Sequence, residues 1–260
     1  MKVLDILGRI DFVAPFRLAE EWDNVGLMVG DPQGEVRRLA LTLDPLPEAV
    51  EEASRQGCQG LLTHHPLFFK PIRGLDLSSG GGQTVRAAVK AGITVLAAHT
   101  NWDKAKGGVS QVLAERLGLT GAVPLIPTEE GGGLGAVGDL PTPTREVLDI
   151  LRKAWNLTWL DLYGQTDRET LRVALCGGSG GNLWPTALAA RADLFVTADM
   201  RYHDLLDCTR SHLPVAVADH GEMESATLPE LARRLAVPGE LEVILLKGCP
   251  LTRGPLRVNT

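Results

Sequence analysis

Leu39-Ala-Leu-Thr-Leu43, Gly60-Leu-Leu-Thr63 and Ile93-Thr-Val-Leu-Ala-Ala98 are three apolar runs of strand length. Pro47 to Gly57, between the first two, opens on a proline and closes on a glycine, as helices do. A Gly/Ser loop at Ser78 to Gly82 then leads into a predicted helix from Thr84 to Ala91, which Gly92 stops. Strand, helix, strand, helix, strand predicts a parallel sheet with helical crossovers.

The second half repeats this grammar. Leu171-Arg-Val-Ala-Leu175 reads as a strand running into Cys176-Gly-Gly-Ser-Gly-Gly181. A helix is predicted over Pro185 to Arg191, a strand over Asp193 to Thr197, and, after another helix, a strand over Leu213 to Val217. Thr63 and Thr197 end the second strand of each half. His99 and His220 follow the third strands, and Asp103 and Glu224 come four residues after them. We read a weak internal duplication of two α/β units. The Gly/Pro-rich stretch from Pro124 to Pro143 is the boundary candidate, and Gly133 to Gly138 within it has the character of a short strand of the second unit. The expected division is therefore residues 1–125, with His64, His65, His99 and Asp103, and residues 126–260, with His220 and Glu224.

Composition narrows the function classes. The chain has 260 residues, 44% hydrophobic and 22% charged, which excludes disorder throughout. A net charge of −6 argues against non-specific binding to nucleic acid or anionic membranes. Aromatics at 5% argue against base-stacking platforms. Cys58, Cys176, Cys208 and Cys249 are far apart and form no CxxC, so they read as buried, reduced thiols of a cytosolic protein. Met1 to Phe16 carries Asp5, Arg9 and Asp11 among its apolar residues, which predicts an amphipathic helix rather than a signal peptide. No apolar run approaches the roughly 18 residues of a membrane span.

Chemistry concentrates after the strands. His64 and His65 follow Thr63 directly, at the carboxyl end of a strand where sites of parallel sheets collect. Neighbouring side chains on an extended segment point opposite ways, so two adjacent imidazoles can serve two different ions. Ala97-Ala-His-Thr-Asn-Trp-Asp103 adds His99 and Asp103, and Ala218-Asp-His-Gly-Glu-Met-Glu-Ser225 offers Asp219, His220, Glu222 and Glu224. His220 and Glu224 share a face if that segment is helical. Three histidines and two carboxylates exceed the needs of one tetrahedral zinc, so two metal ions are expected, with hydrolysis as the natural chemistry. Nitrogen and oxygen ligands suit Zn, Mn, Fe, Co or Ni alike.

Other segments carry two readings. Glu21-Trp-Asp-Asn24 either lines the site, with Asp23 or Asn24 contacting substrate, or forms a capped turn with Trp22 packed. The glycine-rich turn with Gly178 and Ser179 either cradles a phosphate on its backbone amides or is a bare turn, and it lacks the lysine of a P-loop. Asp199, Tyr202 and His203 either support the site or cap the next helix. His212 reads as a solvated residue near a helix end.

Taken in order, Glu21-Trp-Asp-Asn-Val-Gly-Leu27, Leu62-Thr-His-His-Pro66, His99-Thr-Asn-Trp-Asp103, Gly107-Gly108, Cys176-Gly-Gly-Ser-Gly180, Thr197-Ala-Asp-Met-Arg-Tyr-His203 and His220 to Glu224 resemble the NIF-three-like proteins, type 2 homologues of GTP cyclohydrolase I. The resemblance implies two similar α/β units with mainly parallel sheets around an interdomain cleft holding a dinuclear metal site. Its ligands would be His64, His65, Asp103, His220 and Glu224, with Glu224 bridging and His99 beside the site as a candidate proton shuttle. It further implies a ring-shaped homohexamer acting on an unidentified small molecule, while the cysteines and the N-terminal helix read above give the expectation of a cytoplasmic protein. One departure matters: Asp219, not glycine, precedes His220, and a shifted match would substitute Glu222 for Glu224. The spacing of Leu228, Leu231 and Leu235 favours Glu224.

Overall fold

The computed structural model describes residues 1–165 and 171–246. The described chain divides into two compact units, one formed by Met1–Ala105 together with residues 228–246, the other running from Lys106 to Thr227.

The first unit opens with α1 (Val3–Val13), which buries Val3, Ile6 and Ile10 at helical spacing. Then come β1 (Gly26–Val29), β2 (Arg38–Thr42), α2 (Pro47–Arg55), β3 (Gly60–Thr63), α3 (Gly80–Ala91), β4 (Thr94–Ala97) and the short α4 (Thr100–Lys104). The strands β2, β3 and β4 are parallel, and Thr42, Thr63 and Ala97 fall in one register row. All four residues of β3 and of β4 are buried, as both faces of a covered parallel sheet require. The strand β1 runs antiparallel on the β4 edge. The helix α3 starts at Gly80, four residues before the expected Thr84, because Ser79 caps it by accepting the Gly82 N–H at 3.2 Å. Glycine is required at position 82: an added Cβ would lie 1.8 Å from the Asp76 carbonyl.

The second unit contains α5 (Val109–Leu117), β5 (Thr120–Val123), β6 (Ile126–Pro127), β7 (Gly133–Leu134), β8 (Ala136–Leu140), α6 (Thr144–Trp155), β9 (Leu160–Tyr163), β10 (Leu171–Leu175), α7 (Trp184–Ala189), β11 (Leu194–Thr197), α8 (Tyr202–Arg210), β12 (Val215–Ala218) and α9 (His220–Ser225). Its larger sheet has the order β5-β8-β10-β11-β12-β9. Here β10, β11 and β12 are parallel, while β8 and β9 flank them antiparallel, so this sheet is more mixed than the expected one. The stretch expected as one strand from Gly133 to Gly138 breaks at Gly135, whose φ is +69.

After Thr227 the chain returns to the first unit as α10 (Leu228–Leu235) and β13 (Glu242–Leu245), and β13 extends the first sheet parallel to β2. The units thus differ from a division at 125/126 at both ends: β5 pairs with β8 in the second unit, and β13 pairs with β2 in the first. Cys58, Cys176 and Cys208 are buried and form no disulfide, and burial pushes the Cys208 thiol up to about 11. Cys249 lies outside the described residues. Among the described residues, no helix is long and apolar enough to cross a membrane.

Candidate metal centre

In the first unit the parallel ladder runs past its strand ends. The His64 N–H donates to the Thr42 carbonyl at 3.1 Å, that of His65 to Leu43 at 2.9 Å, and that of Ala98 to Thr63 at 3.0 Å. The backbone is therefore fixed where the side chains diverge. The imidazole of His64 is buried, with Nδ1 3.0 Å from the Ala98 carbonyl oxygen. His65 Nδ1 lies 2.7 Å from Asp44 Oδ1, and His99 Nδ1 lies 2.9 Å from Asp23 Oδ1. A carbonyl or carboxylate beside Nδ1 assigns the ring proton to that nitrogen and leaves Nε2 with its lone pair. One donor atom from each of His64, His65 and His99 falls within 4.8 Å of the others. Asp103 Oδ1 stands 3.6 Å from His64 Nε2.

Asp23 is itself well held. Its Oδ2 accepts the Thr100 N–H at 3.1 Å and the Thr100 hydroxyl. Burial alone would push its carboxyl up, but the bonds to His99 and Thr100 overcome that and hold it at about 2. It is a carboxylate at any ordinary pH.

The second unit contributes from the start of α9. Asp219 caps that helix by accepting the Glu222 N–H at 2.9 Å. The turn it nucleates sets His220 and Glu224 on one face, with Nε2 and Oε1 3.0 Å apart. His220 Nδ1 lies 2.6 Å from Asp199 Oδ2. Burial would lower the His220 pKa, but Glu224 and Asp199 together raise it to about 9. Gly178 lies against this pair at φ +64, and a Cβ there would come 2.1 Å from Glu224 Oε1 and 3.4 Å from His220 Nε2. Only a glycine fits between the turn and the carboxylate.

Comparison with known proteins places the chain. The family model for Duf34/NIF3 (NGG1p interacting factor 3) matches residues 1–249. The chain belongs to the Duf34/NIF3 family. Curated relatives named GTP cyclohydrolase 1 type 2 homolog include one from Clostridium perfringens, 30% identical over 95% of this chain and 97% of its own. Another, from Lactococcus lactis, is 36% identical over 78% of this chain and 79% of its own. The crystal structure of a Bacillus cereus protein related to NIF3 matches the fold with a TM-score of 0.88 at 21% identity, covering 96% of this chain and 98% of that one.

In this Duf34/NIF3 protein the two acids of the ambiguous C-terminal motif separate cleanly. Glu222 is directed away, accepting the Thr158 N–H at 2.7 Å, while Glu224 meets His220. Asn24 donates to the Phe68 carbonyl at 2.7 Å and ties two loops together. Trp22 is 59% exposed, with its ring edge-on to His99 at 6.0 Å, so it is not the packed residue of a simple turn. Ser179 is exposed on the glycine turn. Tyr202 and His203 open α8 as exposed residues whose rings touch each other, and His212 takes a positive φ just past its end. Asp44 was not legible as a site residue. The signal available was its position, two residues past a parallel strand, where His65 and His99 also stand.

Proposed function

We propose that this protein holds two divalent cations and uses them to hydrolyse a nucleotide-like or small phosphorylated compound. The observation that carries the reading is shared by four imidazoles: His64, His65, His99 and His220 each have Nδ1 against a carbonyl or carboxylate oxygen. That is how metal-binding histidines are oriented, because the partner fixes the tautomer and makes Nε2 the better donor. His220 and Glu224 alone are too few to hold an ion, so in this reading they complete the set of His64, His65 and Asp103, with Glu224 bridging. Bound cations would supply Lewis acidity, lowering the pKa of water and stabilising negative charge on a substrate oxygen.

The protein's own groups then have distinct tasks. His99, held through Nδ1 by Asp23, offers Nε2 to take up and return a proton. The turn at Gly178 and Ser179 gives backbone amides to a phosphate, and Asp23 and Asn24 border the same site. The names of the relatives suggest ring-opening hydrolysis of a purine nucleotide as one member of this substrate class. Assembly as a hexameric ring and a cytoplasmic setting belong to the same proposal.

A second reading, a non-enzymatic metal-binding partner protein, is favoured by a run of exposed apolar residues at Phe69, Ile72, Leu75 and Leu77 and by the interacting-factor name of the family. Elemental analysis of unchelated protein, followed by assays on GTP, cyclic nucleotides, phosphodiesters and small amides, separates the two. Two ions per chain, with turnover abolished by His65→Ala in a folded variant, are expected. Full metal loading with no turnover on any compound would transfer support to the partner-protein reading, and less than one ion per chain after soaking would sink both.

A further inference from the structure

Taking the nucleotide-like substrate proposed above as given, we propose that Trp22 and Phe69 form an aromatic subsite that takes the flat heteroaromatic ring of that compound. Trp22 is 59% exposed and Phe69 47% exposed, and their ring centroids lie 6.4 Å apart at an interplanar angle of 35°. Both rings stand nearly perpendicular to that of His99, Trp22 at 6.0 Å and 73°, Phe69 at 5.6 Å and 72°. The pair therefore borders the candidate metal centre and belongs wholly to the first unit.

The backbone under both rings is fixed by polar contacts. Trp22 is followed by Asp23, whose fully buried carboxylate lies 2.9 Å from His99 Nδ1 and accepts the Asn24 N–H at 2.8 Å and the Thr100 N–H at 3.1 Å. Two residues before Trp22, the Glu20 N–H donates to the Thr100 hydroxyl at 2.9 Å, and the Glu20 carbonyl accepts the Asp23 N–H at 2.9 Å. Phe69 is preceded by Phe68, whose carbonyl accepts the Asn24 side-chain amide at 2.7 Å. The Phe68 ring lies against the start of α3, where a Cβ at Gly81 would come 2.7 Å from it.

Folding ordinarily covers the faces of tryptophan and phenylalanine, which carry a large apolar area. Here the anchors lie beneath the rings and leave that area to a ligand. A flat π ring gains most from it, because offset or edge-on aromatic contact adds to the area buried. Such contact selects for flatness rather than for one particular base, since every base has a π-face. The chain's few aromatics argue against a long stacking platform for nucleic acid, but one pair suffices for one ring. Phe69 also differs from Ile72, Leu75 and Leu77 farther along its exposed run, which contribute no ring.

The test measures binding of guanosine 5′-monophosphate, and of ribose 5-phosphate, which lacks the ring, to the full-length protein by calorimetry. Wild type is expected to hold the nucleotide about tenfold tighter or more. Trp22→Ala and Phe69→Ala should each weaken nucleotide binding by about 5–150-fold, the usual weight of one base against one aromatic ring, and leave ribose 5-phosphate unchanged. Trp22→Phe should keep most of the affinity. Both side chains are exposed, so the variants are expected to fold, which circular dichroism checks. Equal affinities of wild type for the two compounds, or nucleotide binding indifferent to either alanine substitution, overturns the proposal. So does a change of assembly state in Trp22→Ala, by light scattering, without loss of the nucleotide, which would make the pair a protein contact. The two readings fail separately. Nucleotide held through Trp22 by a protein that turns nothing over leaves the subsite standing without the hydrolysis. Hydrolysis of a ring-free phosphodiester by a protein that binds both compounds equally does the reverse.

Discussion

Setting Thr63 opposite Thr197 aligns the two sheets row by row. Two residues beyond the row of Thr42, Thr63 and Ala97 stand Asp44, His65 and His99. The matching row of the second sheet, counted on from the pairs Leu175–Val196 and Thr197–Val217, holds Gly178, Asp199 and Asp219, with His220 one residue later. In both sheets a carboxylate after one strand holds an imidazole after the next: Asp44 holds His65 across β2 and β3, and Asp199 holds His220 across β11 and β12. The device has moved over by one strand. The first sheet thereby frees its third strand for another histidine, which Asp23 holds from outside the parallel strands. The second sheet leaves its first strand end to Gly178, and the vacated volume admits Glu224. One topology yields an imidazole-rich donor set and a carboxylate-bearing one.

The alignment extends to the cores, and there it can be broken hardest. Leu61 and Phe195 occupy the same row, two residues before Thr63 and Thr197, and both are fully buried. Leu61→Ala is expected to cost about 2–5 kcal/mol and Phe195→Ala about 3–5 kcal/mol, read from urea unfolding. A loss under about 1 kcal/mol at either position would mean that its sheet does not depend on that row for packing, and the equivalence would be one of tracing only.

A sharper contrast lies at the first strand end. Gly178→Ala is expected to cost about 1–2 kcal/mol, because alanine is strained at positive φ and its Cβ would displace the Glu224 carboxylate. Metal content should fall with it, measured by elemental analysis of the same preparations. Unchanged loading would show that Glu224 takes no part in holding ions. At the corresponding place in the first sheet, Asp44→Asn tests the opposite design. Its expected effect is a 10–100-fold weaker metal affinity, in a competition assay, with stability altered by less than about 1 kcal/mol. Asp199→Asn should act likewise through His220. A large effect at one and none at the other would undo the correspondence between them.

How much of this was legible follows from which signals are local. The parallel strands and their crossovers were, because apolar runs bounded by Pro47, Gly57 and Gly92 carry their own punctuation. The His64–His65 pair was, because it abuts such a run. Asp44 was not: a lone acid between Leu43 and Pro45 has no periodicity, and its role depends on the register of a different strand. The start of α3 was missed because three glycines have poor helix propensity, which the Ser79 cap and the close Asp76 carbonyl override. The return of β13 to β2 was invisible for a more general reason. Glu242–Leu245 would suit the edge of either sheet, and only long-range pairing, including the two-pronged contact of Arg38 with Glu242, decides between them.

That returning segment gives the smallest effect and a test of how it is held. On α10, Glu230 accepts from Arg233 Nε at 2.8 Å and Nη2 at 2.7 Å, and from Arg234 Nε at 2.8 Å. These bonds, those of Arg233 foremost, hold its carboxyl at about 2, below the ordinary 4.5. A carboxyl whose folded pKa lies below its unfolded one stabilises above the unfolded value and loses that contribution as pH falls through the folded one. The stabilisation is thus complete above about pH 4.5 and gone near pH 2. Arg233 is exposed and Glu230 half-buried, so screening limits the pairs to about 0.2–1 kcal/mol rather than the value the shift alone implies. Packing carries the rest: Leu228, Leu231 and Leu235 are buried, and Arg9 donates to the carbonyls of Leu235 and Arg234 at 2.7 Å each. Glu230→Gln should therefore lower stability by under about 1 kcal/mol at pH 7, with the gap from wild type closing by about pH 2 in parallel urea titrations. A loss at pH 7 much above about 1 kcal/mol would mean that the pairs within α10 count for more than exposed ion pairs do, and one that persisted at pH 2 would mean that Glu230 supports the helix by something other than its charge.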